Sequence, residues 1–365
     1  MIRTSRVAAL ATAALLTAVT LAGCSNGVTA DNTGGDPATA KIGLLMPDSV
    51  TARYESADRP YFEERIAELC PGCQVLYANA DGDAAKQQQQ AESMLTQGVR
   101  VLVLDPFDGV AASTIVGLAS SRGVPVIAYD RLIANPDVAY YISFDNELVG
   151  RLQAQSLVDR LQELGVAPGD GGILMVNGSP TDNNAAQFKR GAHAVIDASG
   201  YRVLAEYDTP GWDPASAQDW VTGQLTRFGS DIAGVYAAND PVAGAAIAAL
   251  KIGGLTPLPP VTGQDAELAG LQRILAGDQY MTIYKALRPE AHRAADLAIA
   301  LAGGATPDAD AHVEVAGTAV PSFLLEPVAV TRDRIQEVVI ADEFVTVDEL
   351  CAGDFAPDCV SAGLR

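Results

Sequence analysis

Three observations predict an α/β fold built as two similar, doubly wound parallel-sheet lobes. From Lys41 onward, short aliphatic runs alternate with amphipathic segments, and Gly or Pro marks the joints. Strand, helix, strand, helix with short joints implies a parallel sheet covered on both faces. The alternation pauses near Phe144 and then restarts, so the two halves share one βα order. Polar and aromatic residues also gather just after the strand runs rather than before them.

In the first half the strand runs are 42–46, 74–78, 101–104 and 125–129, with 138–144 closing the set. Helical patterns fill 57–69, 84–97 and 110–121. Pro125 begins its strand, where a missing N–H is tolerated. In the second half, strands are expected at 173–176, 202–207, 234–237 and 261–263. Helices are expected at 147–164, 183–198, 214–228 and 241–252. Ala217, Val221, Leu225 and Phe228 form one apolar stripe at helical spacing.

Open parallel sheets bind ligands at the carboxyl ends of their strands. Asp48, Arg53 and Tyr54 follow the first strand, Asp105 to Phe107 the third, and Asp130-Arg131 the fourth. Asp145-Asn146 end the first half. Asn177 to Asn184, Trp212-Asp213, Asn239-Asp240 and Gln264-Asp265 occupy the matching places in the second. These residue types suit a neutral polyhydroxyl ligand. Asp and Arg make charge-assisted bonds to vicinal hydroxyls. Asn and Gln both donate and accept. Tyr54 and Trp212 offer flat apolar faces to C–H bonds. Asp130 would need a counter-charge in a closed cleft, which Arg131 or Arg53 could supply.

The first residues address the chain to a membrane surface. Arg3 and Arg6 precede an uncharged stretch, 7–22, and small residues flank Cys24. A charged start, an apolar run and a small-residue cut read as an export signal. The run is shorter than the ~20 residues a membrane span needs. Leu21-Ala22-Gly23-Cys24 resembles a bacterial lipobox, which implies cleavage after residue 23 and lipid on the Cys24 thiol. Residues 1–23 are then a signal peptide. Residues 24–40, rich in Gly, Asn, Asp, Thr and Ala, form a flexible tether. The mature protein is expected outside the cell, lipid-anchored to the outer face of the cytoplasmic membrane.

The chain has 365 residues and a net charge of −21. Removing Arg3 and Arg6 from its 24 basic residues leaves 22 against 45 acids, a net of −23. Such a surface repels phosphate backbones, so nucleic acid is not an expected partner. Four cysteines remain after Cys24: Cys70, Cys73, Cys351 and Cys359. An even number in an exported chain suggests disulfides. Local spacing favours Cys70–Cys73 and Cys351–Cys359 over the two other pairings. Cys70-Pro71-Gly72-Cys73 has redox spacing, but it follows a helical pattern, whereas a low-pKa thiol wants a helix N-terminus. It reads as a structural clip.

Taken together, Tyr129-Asp130-Arg131, 141–147, 178–184, Asn239-Asp240, Gly263-Gln264-Asp265-Ala266 and Tyr284-Lys285 resemble the periplasmic pentose-binding proteins of ABC importers, nearest to those for xylose. The resemblance runs over 41–344. It implies the type I periplasmic-binding fold with a three-segment hinge. The N-terminal lobe would comprise 41–145 plus 266–318, the C-terminal lobe 146–265 plus 319–345, and 346–365 a tail. It also implies a ligand set of Arg53, Tyr54, Asp130, Arg131, Asp145, Asn146, Asn183, Asn184, Trp212, Asn239, Asp240, Gln264 and Lys285. Tyr54 stands where the family has Trp, Pro47-Asp48 where two acids are common, and the tail departs from the pattern. The expected partners are one monosaccharide, a pentose such as xylose, and an ABC permease, with the protein a monomer. No cofactor, metal or catalysis is expected.

Other motifs point nowhere specific. Asp81-Gly82-Asp83 lacks the later ligands of a calcium loop and reads as a turn with a helix cap. His193, His292 and His312 have no metal-ligand partner at helical spacing, and the 87–90 glutamines read as a solvated helix face. Dinucleotide-binding and serine-hydrolase signatures are absent from the sequence. Two rivals stay open: a sugar-sensing co-receptor using the same cleft, and a glycoside-acting enzyme using two of its acids. A repressor conflicts with the export signal.

Overall fold

The computed structural model describes residues 37–365. Cys24, the signal segment 1–23 and tether residues 24–36 lie outside the described residues.

The first half builds β1 (Lys41–Met46), α1 (Arg59–Leu69), β2 (Gln74–Asn79), α2 (Ala84–Thr96), β3 (Val101–Leu104), α3 (Ser113–Ser121), β4 (Val126–Tyr129) and β5 (Tyr140–Phe144). The second half builds α4 (Asn146–Glu163), β6 (Gly172–Asn177), α5 (Asn183–Ser199), β7 (Arg202–Asp208), α6 (Pro214–Phe228), β8 (Ile232–Ala237), α7 (Asp240–Ile252), α8 (Leu268–Ala276) and β9 (Met281–Tyr284). The chain then makes α9 (Leu287–Ala302), β10 (Ala311–Val315), β11 (Thr318–Leu325), β12 (Val328–Thr331), α10 (Val347–Leu350) and α11 (Ala356–Ser361).

One sheet runs β10-β11-β5-β4-β3-β1-β2, parallel except for the β10–β11 hairpin. The other centres on β7-β6-β8, all parallel. Residues 260–265 extend it, bonding β8 on one side (Val235 N to Pro260 O, 2.9 Å) and β9 on the other (Ile283 N to Gly263 O, 3.1 Å). β12 closes that edge antiparallel to β9. Central strands such as Val-Leu-Val-Leu of β3 and Gly-Ile-Leu-Met-Val-Asn of β6 are buried along their whole length. That is the continuous apolar pattern of parallel strands covered on both faces.

The chain passes between sheets three times: β5 to α4, β9 to α9, and β11 to β12. Their positions differ from the expected division. α8 and β9, within 266–318, belong with the second sheet, and β11, within 319–345, pairs with β5 in the first. The reason is the hairpin turn at Ala316-Gly317, where both residues have positive φ (50° and 83°). Such a turn folds β11 back along β10 and delivers it to β5 before the chain can leave. The expected strand at 261–263 is reduced to one bridge, Val235 to Val261. The expected helix at 57–69 is preceded by a π-turn, Tyr54–Asp58.

Cys70 is bonded to Cys73, and Cys351 to Cys359. The second bridge lies in an apolar cluster where Leu350, Cys351 and Cys359 pack with Leu271, Ile274 and Leu275 of α8. Among the described residues, no helix is long and apolar enough to cross a membrane.

Candidate functional site

The carboxyl ends of both sheets face each other. Arg53 and Tyr54 follow β1, and Asp130-Arg131 follow β4. From the other lobe come Asp182, Asn184 and Phe188 after β6, Trp212 after β7, Asn239 after β8, Gln264-Asp265 after 260–263, and Lys285 after β9. With Thr51 these side chains line one narrow cavity of about 20 Å³. The lobes touch around it. Asn184 Nδ2 donates to Asp130 O at 2.8 Å, Arg131 Nε meets Asp182 Oδ2 at 3.0 Å, and Gly109 N donates to Thr181 O at 3.2 Å.

Local backbone explains several of these placements. Asp130, Trp212 and Asp265 all adopt positive φ (53°, 58° and 91°). A non-glycine residue there costs about 1–3 kcal/mol and persists only where surrounding structure holds it. Trp212 is held by its indole Nε1, which donates to Asp182 at 3.0 Å, and by the edge of Phe188 at 6.4 Å between centroids. Gly178 leaves the room: a Cβ there would lie 2.0 Å from Trp212 Cη2.

The cations are oriented from behind. Arg53 makes a two-pronged bond to Asp58 (2.8 and 2.7 Å), adds Glu290 at 2.8 Å, and directs Nη1 towards Asp130 at 3.4 Å. Tyr129 donates its hydroxyl to Asp58 as well. Arg131 pairs with Asp182 and lies 3.5 Å from Asp48 and 3.7 Å from Asp105. Its Nη2 also donates to Tyr54 Oη at 3.0 Å. Lys285 Nζ sits 2.9 Å from Asp265 and 3.9 Å from Asp130. The closest counter-charges of Asp130 are therefore Arg53 and Lys285, with its neighbour Arg131 acting from farther off.

Burial and charge set the protonation. Burial alone would push the Asp130 carboxyl up, but Arg53, Lys285 and Arg131 together hold it below the usual range. Burial pushes Asp105 and Glu290 well up, and Asp182 up, against the opposing pull of their arginines. Gln264 Oε1 is buried and has no hydrogen-bond donor among the described residues. It is an acceptor on the cavity wall suited to a ligand hydroxyl.

Of the expected ligand set, the structure brings together Arg53, Tyr54, Asp130, Arg131, Asn184, Trp212, Asn239, Gln264 and Lys285. Four others fall outside the wall. Asp145 is spent as the N-cap of α4, accepting from Leu148 N at 2.8 Å. Asn146 is buried at the first crossing and donates to Ser143 Oγ at 3.1 Å. Asn183, one position before Asn184, is half-buried and turned off the cavity. Asp240 is fully buried and accepts from Gln279 Nε2, Glu267 N and Thr282 Oγ1 at 2.7, 2.9 and 3.1 Å. Burial pushes its carboxyl up to about 7. Its role is to tie together the ends of α7, α8 and β9. Sequence reasoning missed Thr51, Asp182, Phe188 and Asp265 on the wall. Asp182 and Asp265 stand inside motifs already singled out, whereas nothing in the sequence links Asp58 or Glu290 to Arg53.

Comparison with known proteins gives one answer. The periplasmic binding protein domain matches residues 42–306. The chain is 38% identical over 314 residues to the D-xylose-binding periplasmic protein of Escherichia coli (strain K12), covering 85% of this chain and 92% of that protein. It is 37% identical over 335 residues to a multiple sugar-binding periplasmic receptor of Rhizobium radiobacter, again covering 85% and 92%. An ABC transporter solute binding protein from Clostridium phytofermentans, solved with bound β-D-glucose, superposes with a TM-score of 0.78 at 30% identity, over 85% of this chain and 99% of that one. The two lobes and three crossings are the type I periplasmic-binding fold. The chain belongs to the periplasmic binding protein family, as an extracytoplasmic sugar-binding protein of the ABC-import type.

Proposed function

We propose that the chain captures one pentose, xylose-like, in the interlobe cavity and delivers it to an ABC permease. The observation that carries the ligand class is charge balance: Arg53, Arg131 and Lys285 face Asp130, Asp182 and Asp265 on the wall. A balanced, hydrogen-bond-rich lining favours a neutral polyhydroxyl molecule over an ion. Trp212 and Phe188 supply apolar faces for its C–H bonds, and Gln264 Oε1 accepts from one hydroxyl. The similarity to a xylose-binding protein supports a pentose. Binding works by hinge closure, since only the closed form brings both walls to the sugar. The protein acts as a monomer and is held at the membrane by lipid on Cys24.

Calorimetry with D-xylose, D-glucose and xylitol tests this reading. One-to-one binding of xylose, tighter than glucose and lost in Trp212→Ala, is expected. Tighter binding of glucose would replace the pentose by a hexose, and no binding of any of them would overturn the reading. The named receptor among the relatives favours a second role, reporting the sugar to a membrane sensor. Deleting the gene and measuring labelled-xylose uptake separates the two, because a pure sensor leaves initial transport rates intact.

A further inference from the structure

We propose that the C-terminal segment acts as a strap on the hinge, with Phe344 and Asp342 as positioning residues for Lys285 and for the closed state. This rests on the sugar-binding reading of the cavity above.

The segment is fixed to the second lobe, where Leu350 and the Cys351–Cys359 bridge pack on α8. Gln272 Nε2 also donates to Leu350 O at 3.4 Å. From that base the chain reaches the hinge. Glu343 adopts positive φ (56°), and the turn it makes swings Phe344 inward. Phe344 is half-buried and packs against the apolar cluster of Ala57, Phe144 and Leu287, as Leu325 does. Its ring also meets Tyr284 edge-on at 5.2 Å between centroids.

Phe144 ends β5, Tyr284 and Leu287 flank the passage from β9 to α9, and Leu325 ends β11. Phe344 thus packs against an apolar cluster that, with Leu325 at its margin, draws on all three crossings. The residue between Tyr284 and the α9 start, Lys285, reaches the cavity and lies over the opposite partner, the Phe144 ring, at 5.5 Å. Asp342 accepts the Tyr284 hydroxyl, which grips the residue next to Lys285.

The physical consequence follows from which lobe each partner belongs to. Tyr284 is in the second sheet, while Ala57 and Phe144 belong to the first lobe. A rotation that shifts one lobe against the other at the crossings would change the contacts Phe344 makes with Tyr284 and with the first-lobe cluster. Only such differential contacts shift a conformational equilibrium. The strap stabilises closure and aims Lys285 without touching sugar.

The test uses the full mature chain and stopped-flow binding of xylose. Phe344→Ala should weaken binding about tenfold, through faster dissociation, with association unchanged. Phe344→Leu should restore most of the affinity. Asp342→Asn, an exposed change that leaves the apolar packing intact, should weaken binding by about threefold, in keeping with a charge-assisted hydrogen bond replaced by a neutral one. Equal dissociation rates in wild type, Phe344→Ala and Asp342→Asn would overturn the strap while leaving the sugar reading in place. If wild type binds no monosaccharide, the sugar reading fails and the strap with it. A Phe344→Ala loss that Phe344→Leu does not recover, accompanied by lowered thermal stability of the sugar-free protein, would assign Phe344 to folding alone and also overturn the proposal.

Discussion

Gly178→Ala tests the geometry of the cavity at one atom. Gly178 follows β6 and lies under the Trp212 indole. A methyl there would stand 2.0 Å from Cη2 and 2.2 Å from Cζ2. Non-bonded carbons settle at about 3.5–4.0 Å, so the ring must retreat by about 1.5 Å. It is not free to do so, because Nε1 is bonded to Asp182 and the residue is 4% exposed. Overpacking of this kind costs about 1–3 kcal/mol. Breaking the bond to the buried Asp182 carboxylate adds about 1.5–3 kcal/mol. If about 2 kcal/mol of this falls on the sugar-bound form, Kd rises about thirtyfold. Calorimetry with xylose reads that rise directly. Trp212→Phe removes the colliding atoms, so Gly178→Ala should cost under about threefold in that background, a coupling a double-mutant cycle measures. An equal cost in both backgrounds, or an unchanged Kd in Gly178→Ala alone, would show that the indole does not form the wall.

Other perturbations separate the roles of neighbouring residues. Glu267 accepts from the Ala52 amide across the cleft, and burial, then the charges of Asp240 and Asp265, pushes its carboxyl up to about 8. Burial of this carboxyl on closing would take up a proton. The contribution to affinity is complete below the ordinary carboxylate range and is lost as pH rises through about 8. Xylose affinity should fall from about pH 5 to about pH 9, and Glu267→Gln should flatten the slope; a profile the variant does not change refutes the assignment. Asp240→Asn places an amide against one of three donors, so thermal stability should fall, about 1–3 kcal/mol, while xylose affinity stays near wild type. Lost affinity at unchanged stability would return Asp240 to the ligand. Cys24→Ser should move the protein from the membrane fraction to the soluble one with binding intact, and continued membrane fractionation would exclude the lipid anchor.

Periodicity made the fold legible because buried parallel strands are apolar throughout and their helices are amphipathic. The edge region β9 to β12 was not legible. Its strands are short, and their membership depends on a turn at Ala316-Gly317 that pattern reading does not register. The polar residues after each strand had two causes that sequence alone does not separate. Asp145 and Asp213 cap α4 and α6 and stay off the cavity wall. Asp182 and Asn239 cap α5 and α7 and also line the cavity. Capping explains why the clustering is one-sided, since in a βα unit the helix begins where the strand ends. Asp240 shows the limit most clearly: its place in the motif is right, but its carboxylate is consumed by Gln279, Glu267 and Thr282, which lie far along the chain.

On the sugar-binding reading, a second layer of charges bears on how the cleft would discriminate between empty and occupied closure. Behind the balanced wall stand Asp58 and Glu290 at Arg53, and Asp48 and Asp105 at Arg131. The Asp58 fork fixes the Arg53 guanidinium, which a lysine ammonium at that position would not allow. These acids also load the closed interior with carboxylates, and burial drives Asp105 and Glu290 towards their neutral forms. Buried ion pairs barely offset their own desolvation, so they do not drive closure unaided. Closure gains a net advantage when ligand hydroxyls complete the remaining acceptors, Gln264 Oε1 among them, and when rings such as Trp212 shed water onto C–H faces. On the sugar-binding reading, the groups that orient the wall would leave ligand-free closure without a net gain, and affinity would follow how many of these positions a given sugar epimer satisfies at once.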